Sequence, residues 1–197
     1  MKDLYTLSAA QLEQRIINHV GESACPPVHK AVSLARAKHQ GQFRKDGSDY
    51  ITHPLRVCLL LLEVGGLDSP DLLCAALLHD VVEDTDTMVE ELTGEYGSKV
   101  SDLVRSVTLA DLRKGQSRSE RDRAHFSSLS WEGRDAQILR SADRLDNISD
   151  MDDNFPKNRR EEYLQDTRDG LLPLTLACNT GLFHALDQAL TSKGCEA

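Results

Sequence analysis

The segment Leu72-Leu-Cys-Ala-Ala-Leu-Leu78 is followed at once by His79-Asp80 and, after two valines, by Glu83-Asp84. Ser69-Pro70 is a helix-opening pair, so the spacing predicts one helix from Asp71 to about Glu83. Its first turns are apolar on nearly every side, which only the middle of a helical core accommodates. At roughly 100° per residue, Glu83 falls one turn beyond His79 and Asp84 one turn beyond Asp80, so the four polar groups share one side. Burying carboxylates there is costly unless a cation or hydrogen bonds compensate, and a bound metal ion is one answer. The other is a helix that surfaces and leaves a solvated acidic end, although the macrodipole disfavours acids at a helix C-terminus.

The remaining pattern is helical too. Ser8 and Gln11 have capping-box spacing ahead of Leu12, Ile16, Ile17 and Val20, which predicts a helix stopped by Gly21. Pro26-Pro27 opens a second through Val28, Ala31, Val32 and Ala35 towards Gly41. Residues 42–52 form a polar loop containing Arg44-Lys45-Asp46-Gly47, after which Thr52 is expected to cap a helix over residues 55–64. Short amphipathic helices are expected near residues 87–96 and 98–107. Residues 110–133 are poor in apolar side chains and read as a mobile connection with room for one short helix, Trp131 packing at the entrance to the next. Helices resume over 134 to about 151 and over 159–190, the latter broken near 170–173. With one Trp, four Tyr and four Phe, the core falls to Leu, Val, Ile and Ala, and 197 residues suit a single all-α domain.

Charge and cysteines narrow the function. Thirty-two acids against 23 bases leave a net charge of −9, which argues against nucleic acid and anionic membranes as partners but leaves open a small phosphorylated ligand held by a local cluster or a metal. Five cysteines without C-x-x-C spacing read as thiols in a reducing compartment. The first residues lack an apolar signal region, and the longest apolar run, residues 57–62, is far below membrane-spanning length, so the expectation is a cytoplasmic protein.

Two further segments extend the polar quartet. His53 starts the helix before the His79 helix, and antiparallel packing through the short turn at 65–69 would set the two imidazoles side by side. Asp143, Asn147 and Asp150 share a stripe at i, i+4 and i+7. Singly, each residue reads as a solvated polar position. Together they supply two imidazoles and two carboxylates, a mixed nitrogen and oxygen set that suits a divalent ion such as Mn²⁺ better than a thiolate zinc site.

The strings Arg44-Lys45-Asp46-Gly47, Tyr50-Ile51-Thr52-His53-Pro54-Leu55, Ala75-Ala76-Leu77-Leu78-His79-Asp80-Val81-Val82-Glu83-Asp84-Thr85 and Ala142-Asp143-Arg144-Leu145-Asp146-Asn147 resemble the HD phosphohydrolase superfamily, and within it the hydrolase domain of the RelA/SpoT alarmone family. The resemblance spans roughly residues 28–150, and a chain of this length would correspond to a stand-alone small alarmone hydrolase. It implies a helical HD-domain bundle with the metal site between central helices. The implied reaction removes the 3′-pyrophosphate from guanosine tetra- or pentaphosphate, giving GDP or GTP and pyrophosphate, with Mn²⁺.

Carried over by position, His53, His79, Asp80 and Asp143 would ligate the metal, and Glu83 and Asp84 would orient and deprotonate the attacking water. Arg44 would pack on the purine, Lys45 would lie near the phosphates, and Asn147 and Asp150 would contact the nucleoside or its 3′ side. Arg159 and Tyr163 correspond to a phosphate and a base contact. Asp146 and Asp150 depart from the pattern, standing where long family members carry His and Thr; the first adds negative charge beside the metal helix, and the second alters a nucleoside contact and leaves guanine or adenine open. The competing readings are a hydrolase of adenine alarmones or another phosphorylated nucleotide, and a nucleotide-binding module without turnover. An intact Glu83-Asp84 pair counts against the last.

Overall fold

The computed structural model describes residues 2–21, 25–152 and 154–194. The chain divides into two compact units, Met1–Thr108 and Leu109–Ala197. Among the described residues every regular element is helical, with one isolated antiparallel bridge between Phe43 and Asp49.

In the first unit a 3₁₀ turn, Lys2–Thr6, leads into α1 (Ala9–Val20), α2 (Pro26–Lys38), α3 (Thr52–Glu63), α4 (Pro70–Leu78), α5 (Val81–Asp84), α6 (Val89–Tyr96) and α7 (Ser98–Val107). The capping box at α1 is formed as its spacing requires, Ser8 N–H donating to Gln11 Oε1 at 2.9 Å and Gln11 N–H to Ser8 Oγ. α4 packs against α2, α3 and α7, and Leu72–Leu78 are all fully buried. Each leucine sealed there contributes roughly 2 kcal/mol of hydrophobic stabilisation, which is what fixes α4 in the centre of this unit. α3 lies beside it with Thr52–Leu61 buried, including His53 and Arg56, the latter stacked on the Tyr5 ring at 4.8 Å.

The structure alters two expectations here. Thr52 is inside α3, not its cap, and its hydroxyl donates to the Asp49 carbonyl at 2.8 Å. The helix expected to run unbroken from Asp71 to Glu83 stops at Leu78, turns through His79 and Asp80, and resumes as α5. Both turn residues keep right-handed helical-region backbone, and Asp84 N–H still donates to Asp80 O at 2.8 Å, so the four polar groups stay close despite the break.

The second unit contains α8 (Arg118–Leu129), α9 (Arg134–Ser149), α10 (Lys157–Asp166), a π-helical turn over Thr167–Leu171, α11 (Leu172–Cys178) and α12 (Thr180–Gly194). α9 packs on α11 and α12, and α10 on α8 and α12. α8 is a full twelve-residue helix where the low apolar content indicated a largely mobile connection; a Ser117–Glu120 capping box starts it, and Asp122, Phe126 and Leu129 are its buried residues. Trp131, expected to pack, is 91% exposed. The break anticipated near 170–173 is the π turn, where a Cβ on Gly170 would lie 2.7 Å from Phe126 Cδ2, so glycine leaves the room that the Phe126 side chain fills. Cys25, Cys58, Cys74 and Cys178 are free thiols, and Cys195 lies outside the described residues.

Candidate metal centre

The polar loop before α3 is a tight hairpin. Arg44 N–H donates to Ser48 O at 2.8 Å and Gly47 N–H to Arg44 O at 3.0 Å, and Gly47 holds a φ of 86°, which favours glycine. Asp46 accepts from both the backbone and the hydroxyl of Ser48, and these bonds lower its carboxyl below the usual range. The turn thus presents Arg44 half-buried and Lys45 exposed. The chain then enters α3 with His53 N–H bonded to Tyr50 O at 2.9 Å.

His53, at the start of α3, and His79, just past the end of α4, point their Nε2 atoms at each other at 3.2 Å, and both residues are buried. His79 Nδ1 lies 2.8 Å from the Ala76 carbonyl. A carbonyl only accepts, so Nδ1 carries the proton and Nε2 presents its lone pair to the site. Asp80 completes the group, Oδ1 lying 3.2 Å from His79 Nε2 and Oδ2 3.4 Å from His53 Nε2. Ligands bonded at about 2.0–2.2 Å to one first-row divalent ion, at angles between octahedral and tetrahedral, stand about 3.0–3.5 Å apart. The trio fits such an ion in spacing and in donor chemistry, and it forms a possible metal site with its ligand atoms all within 4.8 Å of one another.

Glu83 and Asp84 follow on α5, both reaching solvent. Partial desolvation of the Asp84 carboxyl, and then the neighbouring Asp80 charge, push its pKa upward. Its backbone carbonyl accepts from Gln42 Nε2 at 2.9 Å, and Gln42 Oε1 accepts from His39 Nδ1 at 2.7 Å.

A residue that sequence reasoning passed over sits among these groups. Tyr50 donates its hydroxyl proton to Asp80 Oδ2 at 2.7 Å and faces Asp84 as well. Its ring stacks on buried His39 with centroids 4.8 Å apart, meets His53 edge-on at 5.9 Å, and lies 5.8 Å from the Arg44 guanidinium. No local spacing advertises this, because Asp80 is 30 residues away.

The other site candidates lie in the second unit. Asp143 is buried on α9, where Oδ2 accepts from Arg140 Nη1 at 2.8 Å and Oδ1 from Asn147 Nδ2 at 2.6 Å. The stripe read from the sequence is therefore formed at least between Asp143 and Asn147. Asp150 is half-buried where α9 ends, its N–H bonded to the carbonyl of fully buried Asp146. Arg159 is exposed, with its guanidinium 6.0 Å from the Phe155 ring, and Tyr163 is half-buried with its ring 3.7 Å from the Arg144 guanidinium.

A family model described as an HD domain matches residues 31–174, well over half of the sequence. The chain belongs to the HD-domain family. His53, His79 and Asp80 all fall within the matched residues. A relative from Aquifex aeolicus, named guanosine-3′,5′-bis(diphosphate) 3′-pyrophosphohydrolase, is 33% identical over 174 residues; the match covers 88% of this chain and 24% of that protein, so the chain spans about a quarter of its length. The zebrafish protein named guanosine-3′,5′-bis(diphosphate) 3′-pyrophosphohydrolase MESH1 is 34% identical over 142 residues, covering 69% of this chain and 77% of that protein. A solved structure, described as a metazoan ortholog of SpoT that hydrolyzes ppGpp and plays a role in starvation responses, superposes with a TM-score of 0.76 at 28% identity, covering 86% of this chain and 96% of that one.

Proposed function

We propose that the chain is a Mn²⁺-dependent alarmone hydrolase that removes the 3′-pyrophosphate from guanosine tetra- or pentaphosphate, leaving GDP or GTP and pyrophosphate. The observation that carries this is the convergence of His53, His79 and Asp80 one turn ahead of two further carboxylates, in a chain similar to proteins named for that activity. The HD-domain match over residues 31–174 includes Asp143, the fourth ligand that the resemblance implies. Bound there, a divalent ion supplies Lewis acidity towards a water and the phosphate oxygens.

The protein's own residues do the rest. Asp84, one turn beyond Asp80, takes the proton of the attacking water, and Glu83 orients that water. The water oxygen adds to phosphorus, the bond to the 3′-oxygen breaks, and the departing 3′-oxygen takes a proton, so one water is consumed for each pyrophosphate released. Arg44 stacks on the purine, Lys45 meets phosphate, Asn147 and Asp150 hold the nucleoside, and Arg159 and Tyr163 add a phosphate and a base contact. No described helix is long and apolar enough to cross a membrane, and buried thiols such as Cys58 and Cys74 support a reducing, cytoplasmic setting.

The test is product analysis by anion-exchange chromatography. Metal-stripped protein is incubated with guanosine tetraphosphate and, separately, its adenine counterpart, each with and without Mn²⁺. Pyrophosphate release from the guanine substrate only when Mn²⁺ is present is expected; faster turnover of the adenine compound would reassign the substrate, and intact nucleotide throughout would overturn the hydrolase reading.

A further inference from the structure

We propose that Tyr50 is a positioning residue that holds the Asp80 carboxylate in the orientation a metal ion needs. Its kinetic consequence rests on the hydrolase reading above; its effect on metal binding does not.

A carboxylate joined to the backbone by one methylene turns freely unless something holds it, and Asp80 sits at the break between α4 and α5 with its side chain 16% exposed. Oδ1 faces His79 Nε2 and Oδ2 faces His53 Nε2, the arrangement that closes the trio. The Tyr50 hydroxyl occupies one lone pair of Oδ2 at 2.7 Å. That bond fixes the rotation of the carboxylate, and an oxygen accepting one such bond keeps a second lone pair for a cation.

The phenol is itself well anchored. Its ring rests on His39, which is 2% exposed and bonded through Nδ1 to Gln42 Oε1, and Gln42 in turn holds the Asp84 carbonyl. Tyr50 N–H donates to Gln42 O at 3.0 Å, so the tyrosine is tied to the same residue through its backbone. His39, Gln42 and Tyr50 therefore form one support reaching both Asp80 and Asp84. Groups that orient a metal ligand in this way are worth 10–100-fold in metal affinity or activity, to order of magnitude.

Tyr50→Phe removes the hydroxyl and keeps the ring on His39. Mn²⁺ affinity is measured from the electron paramagnetic resonance signal of the free hexaaqua ion during titration, alongside far-ultraviolet circular dichroism and melting of the metal-free protein. The expected result is about 10–100-fold weaker Mn²⁺ binding with the metal-free fold and melting temperature preserved, and, at saturating Mn²⁺, a fall in kcat with little change in KM for nucleotide. Tyr50→Leu, which also removes the ring, should bind no tighter than Tyr50→Phe. Wild-type Mn²⁺ affinity in Tyr50→Phe would overturn the proposal, as would loss of the metal-free fold in that variant, which would assign the hydroxyl to the architecture. If the wild-type protein hydrolyses no alarmone, the function fails while the Mn²⁺ titration still decides the role of Tyr50.

Discussion

The Nε2 atoms of His53 and His79 face each other at 3.2 Å inside the first unit, and the Ala76 carbonyl at His79 Nδ1 sets the neutral ring's proton on Nδ1, leaving the Nε2 lone pair towards His53. Two buried imidazoles at that distance need a shared proton or a cation between them, and a metal answers the need while also satisfying Asp80. Mn²⁺ at a hundred times its Kd is therefore expected to stabilise the protein by about 2.7 kcal/mol, or roughly 5–10 °C in Tm for a chain of this size. The rise should vanish in His53→Ala and His79→Ala. Differential scanning fluorimetry with and without a chelator checks this, and an unchanged Tm across the Mn²⁺ titration would count against the site.

Asp84 is the general base of the proposed reaction, placed one turn after Asp80 by the bond from its N–H to Asp80 O. Asp84→Ala should lower kcat by about 10²–10⁴-fold, the usual contribution of a positioned acid or base, with nucleotide binding retained. Glu83→Ala should act in the same direction. Single-turnover rates alongside calorimetric binding of guanosine tetraphosphate separate the two effects, and full turnover in both variants would remove them from the mechanism.

The convergence of His53 and His79 was legible because both stand at helix ends joined by a short turn, a relationship that helix length alone dictates. The break at His79-Asp80 was not, since apolar periodicity continues through Val81 and the backbone barely leaves helical values there. α8 escaped for a different reason: it buries few side chains, and one of them is the charged Asp122, so the apolar signal that marks other helices is weak. Its capping box, Ser117 with Glu120, was the available cue. Tyr50 had none, because its role arises from a contact across 30 residues of chain.

Asp122 owes its burial to Arg144. The guanidinium of Arg144 is 1% exposed, donates to Asp122 Oδ2 at 2.7 Å, and lies between the rings of Phe126 and Tyr163 at 4.9 and 3.7 Å. Asp122→Ala would leave that cation buried without its carboxylate, at an expected cost of about 3–5 kcal/mol. Arg144→Met keeps the bulk between the rings but leaves the Asp122 carboxylate buried without its guanidinium, so it should cost a similar amount, and the double variant Asp122→Ala/Arg144→Met should cost clearly less than the sum of the two. Urea denaturation of the single and double variants provides the comparison, and additive losses would show that the two side chains are not coupled.

His125 lies on α8, and its Nε2 is buried without a hydrogen-bond partner among the described residues. Desolvation first, and the positive charge of Arg140 second, depress its pKa to about 4, with Arg144 adding to the depression and Asp122 and Asp143 opposing it. The unfolded chain binds this proton near pH 6.5, whereas the folded protein resists it until about pH 4. Between those values the unfolded state carries more protons, so stability rises with pH there and is lost as pH falls below 6.5, levelling out below about 4. At pH 5 the loss should reach about 2 kcal/mol relative to pH 7.5 from this residue alone. His125→Gln cannot take up the proton and should flatten that part of the pH profile, whatever it does to stability at neutral pH. Urea melts at pH 7.5 and pH 5 measure the difference, and a wild-type pH dependence in His125→Gln would show that the acid sensitivity resides in other groups.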